Sequence, residues 1–307
     1  MLTSASSISQ LAGVLGGFLI TAIALLFDRN SREGVHTLAL FASAVLILML
    51  DSFLFSIVTG TVIPDDGDRR GICAIAWTQG AVSTGMLAAG TTALFGGLGW
   101  MLASHAVNKV STDVSANASD SDGDGIRAYC FLAELGGWLT FASAMAMTLV
   151  LSETSIDYLH FMFGRKPELW VVGVITSSAA IIILVDFVLV YLRTRTLRSA
   201  LLDVADPTRL ALRSIKVATV TMVVLSIVGS WLVMSLARFP KDWLTAPNTG
   251  AVVFVLVLTF VVPTVVSTGI CYSVASTKER PHTHTPDDGD VDAVPSGPPR
   301  TPPRPRP

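Results

Sequence analysis

Three acidic residues stand inside long apolar runs of this chain: Asp51, Glu134 and Asp186. An ionised carboxylate at the centre of a membrane helix costs on the order of 3 kcal/mol on insertion scales, so such residues turn inward to the bundle. There they can bind and release a proton, or attract a cation, along a solute path. Position within each run sets the depth: Glu134 and Asp186 fall in the inner third, and Asp51 lies nearer mid-membrane. Lys216 and Arg193 are the cations within reach of Asp186 and its candidate ion-pair partners. The purely structural alternative has Asp186 ion-paired, Glu134 snorkelling or hydrogen-bonded between helices, and Asp51 bonded to hydroxyls. Ser52, Ser56 and Thr59 form the polar stripe beside it.

Other chemistries find less support. Asp120, Asp122, Asp124 and Gly125 match the opening of a calcium loop, but the position of the closing bidentate Glu is taken by Phe131. A solvated acidic linker is the better reading. His36 and His105 sit at inner ends of runs, too few for a metal, and Cys73, Cys130 and Cys271 share no ligand spacing. The chain contains neither H-E-x-x-H nor G-x-S-x-G, and its last apolar run lacks the Lys that a retinal Schiff base needs. No catalytic residue, metal or cofactor is therefore expected.

The elements that must position these acids follow from composition. The chain has 307 residues, 51% hydrophobic and 14% charged, with mean hydropathy +0.61. Soluble domains carry roughly 25% charged residues. A disordered chain, a secreted disulfide scaffold and a basic nucleic-acid binder are all excluded. Seven runs are long enough to cross a bilayer as helices: about 8–27, 36–59, 72–103, 128–151, 169–191, 214–236 and 250–272. The expected fold is an all-α integral membrane protein, a bundle of seven transmembrane helices over residues 1–276. A Pro-rich tail, 277–307, is expected to be disordered and cytoplasmic.

Residues 1–27 hold no Lys or Arg, which argues against a cleavable signal peptide and for an N-terminus outside. That orientation puts twelve Lys and Arg in the inner loops and at the start of the tail, half of them between Arg193 and Lys216, against six outside. The run 72–103 reads as one long tilted helix. Segment 104–127 reads as a polar loop, and Ile156, Leu159, Phe161, Met162 and Phe163 read as lying flat in the outer interface. The fifth helix should extend inward and turn at Asp206-Pro207, and Pro263 should kink the seventh.

On the third run Ala81, Gly85, Ala88, Thr92, Gly96 and Gly99 recur at steps of three and four. Such a stripe lets helix backbones approach closely, and its alternative use is to line a narrow pore. Gly13 with Gly17, and Gly136 with Gly137, offer weaker notches. Little Lys beside abundant Ala, Val, Gly and Pro suggests a bacterial plasma membrane. Two function classes fit. One is a transporter or channel for a small solute, ion or proton. The other is a non-catalytic scaffold, assembly factor or sensor that binds a membrane-protein partner. An intramembrane enzyme comes third, for want of motifs. The bilayer is the one certain partner, and nucleic acid is not one.

Overall fold

In lipid a backbone can satisfy its N–H and C=O groups only internally, so each apolar run closes into a helix. The computed structural model describes residues 2–27, 34–61, 69–116, 123–164, 167–200, 209–236, 238 and 248–273. It contains α1 (Leu2–Phe27), α2 (Gly34–Thr59), α3 (Arg69–Ala116), α4 (Gly123–Phe163), α5 (Leu169–Ala200), α6 (Arg209–Leu236) and α7 (Thr249–Ser273), with no strand among the described residues. Six helices, α2 to α7, are long and apolar enough to cross a membrane. The corresponding apolar stretch of α1, Ser6–Thr21, is shorter. The turn expected at Asp206-Pro207 and the tail from 277 lie outside the described residues.

Helix α3 is the axis of the bundle. Of its span 78% is buried, against 11% for α5, which lies at the rim with Ile181, Leu184 and Val188 exposed. The run 72–103 is indeed one unbroken helix within α3. Two expectations about connectors need correction. Much of 104–127 is helical, since α3 runs to Ala116 and α4 starts at Gly123, with Asp124 and Gly125 in its first turn. Segment 152–163 does not lie flat in the interface but continues α4. Nothing between Ser152 and Phe163 breaks a helix, and its apolar face has a partner: Tyr158, Leu159 and Met162 are buried, and Phe161 stacks on Trp77 of α3 at 5.6 Å. Gly164, at φ 64°, ends the helix by returning its N–H to the His160 carbonyl.

Close packing follows the glycines. A Cβ at Gly99 would meet the Gly136 carbonyl oxygen at 2.7 Å, so α3 and α4 touch backbone to backbone. Gly90 and Gly97 take Ile47, Leu48 and Phe41 of α2, a second small face of α3 absent from the predicted stripe. On α1 the notch against α2 is made by Gly13 and Gly16, whose neighbours are Ser52 and Met49. Gly17 has nothing within 4 Å and takes no part.

Next to Pro263, α7 departs from regular α-helical bonding. Residues Val257–Val261 form a π-helical turn, and the Val262 N–H donates to the Val257 carbonyl five residues back. Proline has no N–H to give Thr259, and the wide turn also takes the Leu258 carbonyl's usual donor. Both carbonyl oxygens point at Gly85, where a Cβ would meet them at 3.0 and 3.1 Å.

Candidate functional site

Asp51 is in the middle of the buried face of α2, with Phe41, Ala44, Ile47 and Leu48 on one side and Leu54, Phe55 and Val58 on the other. Its carboxyl is 0% exposed, and neither oxygen has a hydrogen-bond partner. The hydroxyls beside it in sequence do not serve it. Ser52 exchanges hydrogen bonds with Ser9 of α1, its Oγ donating to the Ser9 carbonyl at 2.9 Å, and Ser56 donates to the Ser52 carbonyl at 2.8 Å. One residue along a helix is a turn of 100°, so Ser52 faces α1 while Asp51 faces α3 and α6.

Register places the surroundings of Asp51. Gly90 lies against Ile47 and Leu48, and Gly229 of α6 lies against Val82 and Met86. Counting one turn from these contacts brings Asp51 level with Met86 and with Ser226, in the seam where α2, α3 and α6 meet.

Asp186 occupies a different junction. It is 1% exposed, on the α5 stripe with Ala179 and Val190 that packs against α4 and α7. Both of its oxygens lack a well-formed hydrogen bond. Thr268 and Cys271 of α7 are its polar neighbours. Lys216 is exposed in the N-terminal part of α6, and no hydrogen bond joins it to Asp186. The Arg193 side chain lies outside the described residues. Glu134, on α4, is only partly buried.

The predicted stripe is filled. Gly85 meets Thr259, Ala88 packs with Leu151, Ala179 and Phe260, and Thr92 accepts from Ser267 at 3.2 Å. Gly96 takes Ile270, Gly99 takes Gly136, and Ala81 is fully buried. The stripe therefore welds α3 to α4 and α7.

What sequence reasoning missed is a set of hydroxyls. The side-chain oxygens of Ser83, Thr91, Ser143, Thr219, Ser230 and Thr259 are buried without a hydrogen-bond partner. Interior polar atoms are nearly always bonded, so such a concentration demands an explanation. Thr219, Ser226 and Ser230 stand at i, i+7 and i+11, one face of α6, and that spacing is the signal that could have found them. Among the described residues no cluster of three or more His, Cys, Asp or Glu could hold a metal. No protein-family model matches the chain, and no curated protein or solved structure shows significant similarity to it.

Proposed function

We propose that this chain is a proton- or cation-translocating membrane protein, a transporter or channel in which Asp51 and Asp186 bind the moving ion. The observation that carries this reading is that both carboxyls are buried, Asp51 with no hydrogen-bond partner at all and Asp186 with no well-formed bond and only Thr268 and Cys271 as polar neighbours. A carboxylate kept for architecture is paired, because an unpaired buried charge costs several kcal/mol. A bound proton or monovalent cation removes that cost, and its departure restores it, which is the energetic basis of a carrier site. A scaffold would have each acid satisfied by a private partner.

The test is flux. The full chain in vesicles should move protons or a monovalent cation, followed with a pH-sensitive and a sodium- or potassium-sensitive dye. Asp51→Asn and Asp186→Asn should each reduce that movement severalfold. Equal flux in wild type and both variants would leave the scaffold reading standing.

We also propose seven spans, with α1 as the first, the N-terminus outside and the tail in the cytoplasm of a bacterial plasma membrane. The twelve-to-six bias of Lys and Arg supports this orientation, as does the absence of either residue from 1–27. Reporter fusions within 117–122 and 201–208 should report the cytoplasmic side; an external signal from both reverses the orientation.

A further inference from the structure

The seam between α2, α3 and α6 holds more than Asp51. From α6 it receives Thr219, Ser226 and Ser230, all on one helix face. Ser226 is fully buried on the side of α6 turned away from the Ser214–Gly269 contact with α7. From α2 it receives Ser43 and Asp51, two turns apart on the same face, and from α3 it receives Gln79 and Ser83, one turn apart. The Gln79 amide donates to the Val233 carbonyl of α6 at 3.0 Å, which fixes the outer end of the register. Counted along the helices from there and from the Gly90 and Gly229 contacts, Ser83 falls level with Ser230, Asp51 with Ser226, and Ser43 with Thr219. Thr219 and Ser230 are eleven residues apart, about 16 Å along α6, roughly half the thickness of the hydrocarbon core.

Five of the buried side-chain oxygens that have no partner are in this one seam: both of Asp51 and one each of Ser83, Thr219 and Ser230. The other two hydroxyls of the set are already bonded, Ser226 to the Met222 carbonyl and Ser43 to the Leu40 carbonyl. Among the described side chains of these three helices, Asp51 is the one ionisable group that is fully buried. Hydroxyls both donate and accept, and unpartnered interior hydroxyls are where ordered water binds.

We propose that the α2/α3/α6 seam is a proton-conducting path, in which water bridges the unpartnered hydroxyls and Asp51 is the relay at its middle. This rests on the transport reading above and narrows it: the moving ion is a proton, and Asp51 is the acid on the part of its route that this seam provides. Each hop breaks one O–H bond and forms another, so a proton that reaches Asp51 from one side is matched by one released to the other. No redox partner or leaving group is required. A path of this kind has no use for a large cavity, which fits a seam otherwise packed with Ile47, Leu54, Met86 and Met222.

The experiment uses the full chain in phosphatidylcholine–phosphatidylglycerol vesicles with pyranine inside and a valinomycin potassium potential as the drive. Wild type should acidify the lumen; Asp51→Asn should fall to the rate of protein-free vesicles, and Asp51→Glu should recover part of the rate. The double variant Thr219→Val, Ser230→Ala should lose proton flux severalfold while keeping its elution profile and helical circular dichroism. Ser155→Ala removes a buried α4 hydroxyl that is already bonded to Leu151, and it should conduct as wild type does. A double variant as fast as wild type overturns the seam. So does a wild type that moves sodium or potassium and no protons, with that flux sensitive to both acids; the transport reading then survives alone. Absence of any ion flux in wild type overturns both.

Discussion

Asp51→Leu is expected to yield a protein that folds, melts at a higher temperature than wild type and transports nothing. Leucine copies the branching of aspartate at Cγ, so the substitution fits the space that Phe55, Leu48 and Met86 leave. It removes two buried oxygens that have no hydrogen-bond partner. Replacing an unsatisfied buried polar group by an apolar one of the same shape should stabilise by about 1 to 3 kcal/mol. In a membrane bundle nothing is subtracted for lost contacts, because Asp51 makes no polar ones. Activity should move the opposite way, since leucine can hold neither a proton nor a cation. Thermal unfolding by intrinsic fluorescence, run beside the vesicle assay, separates the two effects. A variant that is both less stable and inactive would mean Asp51 is architectural; one that is active would remove it from the mechanism.

Gly99→Val is expected to abolish the folded bundle. A Cβ on Gly99 would sit 2.7 Å from the Gly136 carbonyl oxygen and 3.0 Å from the Thr140 hydroxyl. Neither neighbour can yield cheaply. Gly136 presents backbone, and the Thr140 Oγ1 is held by its bonds to the Gly136 and Phe95 carbonyls at 2.9 and 3.2 Å. Separating α3 from α4 by the width of a side chain also lifts Gly96 off Ile270, so the defect spreads to α7. Overpacking of this kind costs typically 1–3 kcal/mol for added methylenes, and more when backbone is in the way. Gly17→Val is the control, since a Cβ there meets nothing within 4 Å. Size-exclusion chromatography after detergent extraction should show Gly17→Val monodisperse and Gly99→Val aggregated or absent. Equal behaviour of the two would mean the α3–α4 contact is dispensable.

Both predictions depend on residues that the sequence exposed unevenly. Asp51 and Asp186 were legible because an acid in an apolar run is conspicuous, and Gly99 because its stripe has helical period. Gly90 and Gly97 were not: they belong to a second face of α3 that shares the helix with the first, and periodicity shows that a face is small, not how many partners it has. The lone hydroxyls were invisible for a related reason. Serine and threonine in a membrane helix ordinarily bond back to their own carbonyls, as Thr78, Thr84, Thr148 and Ser155 do at 2.7–2.8 Å. Sequence cannot say which ones do not.

By itself the sequence determined that the chain crosses a membrane as helices, where most of those helices lie, and that three acids stand within them, of which Asp51 and Asp186 are buried and Glu134 only partly so. Those properties follow from run length and charge, because lipid allows no other way to satisfy a backbone or hide a carboxylate. Only the tertiary structure decided that Asp51 and Asp186 stand in separate junctions on different sides of α3. It also decided that the small-residue stripe is packed shut, and that Ser83, Thr219 and Ser230 leave their hydroxyls buried without a partner, as Asp51 does its carboxyl. These are matters of register and rotation between helices. They are set by which side chains happen to fit a glycine face on a neighbour, and no single helix carries that information.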